Sequence, residues 1–144
     1  MKIVQYSLTG TDRPRYTYEA EFYPRGVHPA RIEAKLSARR AVKLHGDFVA
    51  ADPQRTLAGV QDVLERDRFF EMRLSPTDTR YLDGPEDVVT VVRCGVTTTL
   101  STIPQGGEVG LDNAQAKAFF SLEDDLRKII FSQTWMPPTP SPTP

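Results

Sequence analysis

The sequence predicts an α+β domain, with an antiparallel sheet that carries two helices on one face and elements in the order ββββαββα. Three observations lead to this prediction. Apolar residues alternate through much of the first fifty positions, two later segments have a helical period, and a β-branched hairpin separates these two segments. Strands and helices that are grouped in this way are typical of a sheet whose helices pack on one side.

Alternating apolar residues define the first two predicted strands. Val4, Tyr6 and Leu8 alternate within residues 2–8, which is the period of a strand with one face buried. The segment 16–23 repeats the alternation with aromatic residues, which strands favour. The side chains expected on one side of this second strand are Tyr16, Tyr18, Ala20 and Phe22.

Residues 31–49 fit either two strands or a helix. Apolar residues alternate from Ile32 to Leu36, whereas the content of Ala, Lys, Arg and Glu favours a helix. The alternation leads us to predict two strands, at about 31–37 and 41–49, with a turn at "SARR" between them.

The first helix is predicted to begin at Asp52-Pro53. An Asp side chain can accept hydrogen bonds from the free amides of the first turn, and Pro loses no helical hydrogen bond at the next position. Asp62 and Arg66 are spaced to pair on the exposed side. The apolar stripe of this helix consists of Leu57, Val60, Val63 and Leu64.

Two phenylalanines, Phe69 and Phe70, follow the charged end of this helix in "LERDRFFEM". Such a pair either forms a binding surface or covers a core. Because the pair follows an apolar stripe, we expect one ring to continue the core and the other to cap the sheet edge.

The second half of the chain contains a β-branched hairpin and a second helix. The hairpin is predicted at about 87–93 and 96–102, with Arg93-Cys94-Gly95 as its turn. Asp112 or Asn113 is expected to cap the last helix. Its apolar stripe consists of Phe119, Leu122, Leu126, Ile129 and Ile130.

Acidic residues at 123–125 are expected on a solvated face of the last helix, because consecutive helix positions cannot converge on one ion. The spacing predicts that Glu123 pairs with Arg127 and that Asp124 pairs with Lys128.

Composition predicts one domain at residues 1–135, followed by a disordered, polyproline-like tail at 136–144. The 144 residues are 39% hydrophobic and 26% charged, with a formal net charge of −1, which leaves every class of partner open. The single cysteine, Cys94, cannot form an internal disulfide. With no apolar run of signal-peptide or membrane-span length, we predict a cytoplasmic protein without a membrane partner.

The residues with reactive side chains lack the spacing of known sites. His28 and His45 have no metal-ligand or catalytic partner at a suitable spacing, and Cys94 lies in no nucleophile signature. The glycines at 106–110 lack the pattern of a phosphate loop. We therefore expect no catalytic residue, no metal and no cofactor. The alternative is an enzyme whose site is built from scattered carboxylates and Cys94.

A basic segment lies at residues 25–45, where Arg25 and five further cations are opposed only by Glu33. This composition fits binding of an acidic ligand or of nucleic acid. The aromatic residues that single-strand binders interleave are absent, which makes nucleic acid the less favoured partner. The acidic second half of the chain can instead complement the segment within the molecule. The candidate basic patch consists of Arg31, Lys35, Arg39, Arg40 and Lys43.

Several segments together resemble a known family. "PRYTYEAEFYPRGV", "RFFEM", "YLDGPEDVVTVV", "GVTTTL" and the helix that closes at Trp135 resemble a widespread bacterial domain of unknown function. The cysteines that often precede the proline in that family are missing here. The region from "VLERDRFFEM" to "TTTLSTI" is similar to emfourin-type inhibitors of thermolysin-like metalloproteases. This resemblance implies a non-catalytic α+β domain that presents a loop to an enzyme.

The sequence thus favours a protein-binding domain, an inhibitor or accessory factor that presents the loop 75–87 to a partner whose identity is unknown. Proline and glycine restrict this loop before binding, which lowers the entropic cost of association. Tyr81 is the expected anchor, because tyrosine buries a large area at little entropic cost; alternatively, it packs back on the domain. The candidate partner-binding residues are Tyr81, Asp83, Gly84 and Pro85.

Overall fold

The structure, a computed structural model, describes residues 1–7, 16–25, 31–39, 44–72, 87–102 and 113–138. Within them, seven strands form one sheet, and the helices pack on one of its faces. The strands are β1 (Lys2–Ser7), β2 (Tyr16–Pro24), β3 (Ile32–Arg39), β4 (Gly46–Ala50), β5 (Asp87–Arg93), β6 (Val96–Thr102) and β7 (Trp135–Met136). The α-helices are α1 (Pro53–Arg66) and α2 (Asn113–Ser132).

All strand pairs are antiparallel, and the spatial order is β6-β5-β1-β2-β3-β4-β7. The predicted α+β class and order of elements are confirmed. The described part of residues 31–49 contains two strands and no helix. β3 continues to Arg39, so residues 37–39 of the predicted turn "SARR" belong to the strand, and β4 begins only at Gly46. The short strand β7 is an addition to the prediction, and it pairs with the end of β4.

The buried face of β1 is the opposite of the predicted one. Ile3, Gln5 and Ser7 are buried beneath the helices, whereas Val4 and Tyr6 lie half-buried on the open face of the sheet. The alternation of Val4 and Tyr6 correctly indicated a strand, but hydropathy alone could not show that two polar residues would face the core. The predicted inner residues of β2 are all buried.

The buried amide of Gln5 joins β1 to β2 and to α2. Its Nε2 donates to the Tyr16 hydroxyl at 2.5 Å and to the Glu123 carbonyl at 3.1 Å, and its Oε1 accepts from the Tyr18 hydroxyl at 2.6 Å. Buried polar groups need such partners, since an unsatisfied one costs free energy. A glutamine can occupy the core-facing side of β1 because neighbouring groups satisfy its amide.

Helix α1 begins as predicted. Asp52 precedes it, and its Oδ1 accepts a hydrogen bond from the Arg55 backbone N–H at 3.2 Å. Arg66 and Asp62 form the expected pair at 3.5 Å. Gly59 faces α2 so closely that a Cβ atom there would lie 3.1 Å from Ile129 Cγ2, so an alanine at this position would require the Ile129 side chain to shift by a few tenths of an ångström.

Helix α2 differs from the prediction in its charged residues. Glu123 is only 2% exposed and lies against the sheet, so it does not belong to a solvated face. Asp124 pairs with Arg127 at 3.4 Å, in place of the predicted pairs. The physical reason is the rotation of the helix, which turns Glu123 inward together with Phe119, Leu122 and Leu126. The helix begins at Asn113, and Asp112 lies outside the described residues.

The end of α2 is fixed by Trp135, whose indole Nε1 donates to the Ile130 carbonyl at 2.6 Å. This bond satisfies a carbonyl of the last helical turn and directs the chain into β7. Across the described part of the chain, neither helix combines the length and the apolar character needed to cross a bilayer.

The two phenylalanines after α1 have different environments. Phe69 is fully buried, whereas Phe70 is 37% exposed. The rings meet edge to face with centroids 5.0 Å apart, and the Arg93 guanidinium lies 5.8 Å from the Phe70 centroid. Phe69 therefore belongs to the core as expected, and Phe70 covers the end of β5.

The β5–β6 hairpin turns at Cys94 and Gly95, as predicted. Both residues have positive φ angles, 51° and 76°, which a two-residue type I′ turn requires. Cys94 is exposed in this turn.

We expect Gln5→Leu to lower the free energy of unfolding by about 3 kcal/mol, because two tyrosine hydroxyls and a helix carbonyl lose a buried partner while the side-chain volume stays similar. Urea denaturation of the variant and the wild type would measure this. The same change at the exposed Gln61 is the control, and equal effects at both sites would contradict the assigned role of Gln5.

Burial raises the pKa of both Tyr16 and Tyr18 above the ordinary value of 10.0. Above about pH 10 the unfolded chain therefore loses phenolic protons that the folded protein retains, so the free energy of unfolding falls as the pH rises. Denaturation from about pH 8 to about pH 11 would show this decline. It should be shallower in Tyr18→Phe, and equal slopes would count against the assignment.

Truncating Phe69 to alanine should cost about 3–5 kcal/mol of stability, since the change empties a fully buried ring site. Phe70→Ala should cost only about 1 kcal/mol, because the ring is partly exposed and loses mainly its contact with Arg93. Thermal and chemical unfolding of the two variants would test the difference. A reversed order would show that the rings were assigned to the wrong environments.

Candidate functional site

The candidate residues of the 75–87 loop lie mostly outside the described residues, so the roles of Tyr81, Asp83, Gly84 and Pro85 stay predictions. The last residue of that loop is Asp87, the first residue of β5. It is fully buried, and its Oδ1 accepts a hydrogen bond from the Ser7 hydroxyl at 2.9 Å. Arg40 and Lys43 of the predicted basic patch also lie outside the described residues.

The described members of the basic patch share one face of the sheet. Lys35 and Arg39 lie on β3, and Arg31 directly precedes it. The three residues follow each other at intervals of four, so their side chains share the face that is opposite to the helices. At about 3.3 Å per residue, Arg31 and Arg39 lie roughly 26 Å apart along the strand. The patch is therefore a row whose two ends cannot contact the same small ligand.

The middle of this row is neutralised within the molecule. The Lys35 Nζ lies 3.6 Å from Glu33 Oε1 and 5.2 Å from the centroid of the Tyr23 ring. A hydrogen bond with the Tyr23 hydroxyl is the main cause that raises the pKa of Lys35, and Glu33 contributes. Glu21 stands opposite Lys35 on β2. The carboxylates near Lys35 thus come from β2 and β3, and not from the acidic second half of the chain as predicted.

Arg25 and Arg31 form a pair that the candidate patch did not contain. The Arg25 backbone N–H donates to the Arg31 carbonyl at 2.8 Å and extends the β2–β3 ladder by one step beyond Pro24 and Ile32. The two residues therefore stand directly opposite each other, and their Cβ atoms are about 4.5–5.5 Å apart on one face. Both are exposed.

No carboxylate among the described residues forms an ion pair with Arg25 or with Arg31. Like charges that are directly opposed destabilise a strand pair. The sequence contained a sign of this pairing, since the two arginines lie near the facing ends of two consecutive predicted strands. The pairing could be found only by fixing the register of the hairpin.

A cleft of about 570 Å³ lies beside the arginine pair. Residues of β3, of the end of β4 and of the start of α1 line this cleft. Pro138, which follows β7, lies at its edge. We call this site the basic cleft, and its lining residues are Arg25, Arg31, Ile32, Glu33, Lys35, Val49, Ala50, Ala51, Pro53, Gln54 and Pro138. Its size lies within the range of ligand-binding pockets.

The positive character of the basic cleft comes from its arginines. Although α1 begins at the cleft, the Asp52 carboxylate already accepts the Arg55 N–H, and the Asp52 carbonyl accepts the Thr56 N–H at 3.1 Å. The capping carboxylate also offsets the positive end of the helix dipole. An anion in the cleft would therefore be bound chiefly by Arg25 and Arg31.

A carboxylate cluster lies at the other end of α1. Arg66 contacts Asp67 at 3.6 Å and Asp125 at 3.4 Å and so links α1 to α2. Burial, followed by the neighbouring Asp125, raises the pKa of Asp67. The cluster has an evident structural role in holding the helices together. In the described ranges, no group of three His, Cys, Asp or Glu residues is arranged to hold a metal ion.

Comparisons with sequence families, with curated proteins and with solved structures gave no match to this chain. The resemblances to the bacterial domain and to emfourin-type inhibitors therefore stay predictions.

Proposed function

We propose that this domain is a non-catalytic protein-binding module that recognises an acidic segment of its partner through the basic cleft. The observation that carries the proposal is the opposed pair of Arg25 and Arg31, two exposed guanidiniums without an ion pair to any described carboxylate. The fold gains nothing from this juxtaposition, because like charges repel across a strand pair. A bound acidic group would remove that repulsion.

The chemistry of the guanidinium group favours carboxylates as the ligand. Each guanidinium presents planar N–H donors that match the two oxygens of a carboxylate. Two of them side by side offer a site for two acidic residues of one segment. The next cation along this face of β3, Lys35, is already paired with Glu33, so the site for an acidic ligand lies at the end of the sheet.

The surroundings of the pair favour an acidic protein segment over nucleic acid. A nucleic-acid strand needs a continuous track of positive charge and rings on which bases stack. Here Lys35 covers the Tyr23 ring. Glu19 and Glu21 of β2 lie on the same face as the basic row, so the positive charge does not form the continuous track that a nucleic-acid strand needs.

A double variant, Arg25→Gln with Arg31→Gln, should bind an acidic peptide at least about tenfold more weakly than the wild type, because two charge-assisted contacts are lost. The measurement is fluorescence anisotropy with a labelled peptide of alternating glutamate and valine. Arg39→Gln is the matched control, since it removes the same charge from the same face of β3, far from the basic cleft. Rising salt should weaken wild-type binding.

Two results would contradict the proposal. One is that the wild type does not bind the acidic peptide at low salt. The other is that Arg39→Gln loses as much affinity as the double variant. A single-stranded oligonucleotide that binds more tightly than the peptide, with the same dependence on Arg25 and Arg31, would assign the cleft to nucleic acid instead.

A further inference from the structure

We infer that the acidic segment binds as a short extended strand beside Ile32, in a position of the sheet that β4 leaves empty. The inference rests on the proposed function and adds the conformation and residue pattern of the ligand. It depends on the strand register around the basic cleft.

The two neighbours of β3 cover different lengths of it. β2 pairs with β3 from Ile32 to Arg39, whereas β4 pairs with it only from Lys35 to Ala38. The register places Ala50, the last residue of β4, beside Ala34. Among the described residues, no strand pairs with Ile32 or Glu33 on the side where β4 would continue. The open side of β3 begins where Arg31 enters the cleft.

The chain itself explains why β4 stops short. Ala50 pairs with Trp135 of β7, and the Ala51 N–H donates to the Thr134 carbonyl at 2.9 Å. Asp52 then caps α1. These bonds draw the chain toward β7 and into the helix, so β4 separates from β3. The basic cleft opens between them, and Ile32, Ala50 and Ala51 contribute to its walls.

The backbone of Ile32 points into this gap. Successive residues of a strand direct their N–H and C=O groups to opposite sides. The Arg31 carbonyl bonds to Arg25 of β2, so the groups of Ile32 point away from β2. An added strand would provide hydrogen-bond partners for this edge, as in binding by β-strand addition.

The register also predicts the residue pattern of the ligand. Side chains of an added strand alternate between the two faces of the sheet. Those on the open face would meet Arg25 and Arg31, and those on the helix side would meet Ile32 and Pro53, which are partly buried. The preferred segment is therefore acidic and apolar in alternation.

The test uses acetyl-Glu-Val-Glu-Val-Glu-amide and a set of variants methylated at one backbone nitrogen each. Isothermal titration with the full-length protein should show that methylation at the nitrogen that pairs with Ile32 weakens binding about tenfold, because this group loses its hydrogen bond to β3. Methylation at the neighbouring nitrogens should leave the affinity within about twofold. A peptide with Gln in place of Glu is the charge control.

Hydrogen exchange of the protein amides gives a second readout. The Ile32 amide should exchange more slowly when the peptide is bound, whereas the amide of Cys94 at the distant hairpin should not change. Equal affinities for all methylated peptides, or an Ile32 amide that is unaffected, would overturn the strand geometry. If the charge variants still lose binding in that case, the proposed function survives. If the unmethylated peptide does not bind, both proposals fail.

Discussion

The buried amide of Gln5 is the constraint on which the arrangement of sheet and helices depends. One side chain joins the first strand to two tyrosines of β2 and to a carbonyl of α2, all beneath the helices. Each of these polar groups would be costly to bury without a partner. Their hydrogen bonds require that β1, β2 and α2 are in register, so they favour this one arrangement. The aromatic packing is consistent with this arrangement, since Phe131 of α2 meets the rings of Tyr16 and Tyr18 edge to face.

The basic cleft follows from the same framework. With β1, β2 and β3 in register, Arg25 and Arg31 come to stand opposite each other at the end of a hairpin. At the other edge, Trp135 anchors β7 and thereby directs β4 away from the start of β3. An opposed pair of charges and an open strand edge thus lie side by side. Each alone has a structural cost. Together they support our proposal that the domain binds an acidic, extended ligand.

The charged residues of the domain fall into two groups with different consequences. The first group forms ion pairs within the domain. These pairs join Lys2 to Glu19, Lys35 to Glu33, and Arg66 to neighbouring carboxylates. Exposed pairs of this kind contribute little to stability. Arg25 and Arg31 have no such described partner, and their position at a cleft makes them the clearest functional candidates.

Local patterns in the sequence determined the elements and their order. Asp52-Pro53 indicated the start of α1, and the β-branched run around Arg93-Cys94-Gly95 indicated the hairpin, because capping and turn geometry depend on neighbouring residues. Only the tertiary structure decided which face of β1 is buried, that Glu123 turns inward, and that Arg25 meets Arg31. These features depend on the register between strands and on the rotation of a helix against the sheet, and both are set by contacts between residues distant in sequence.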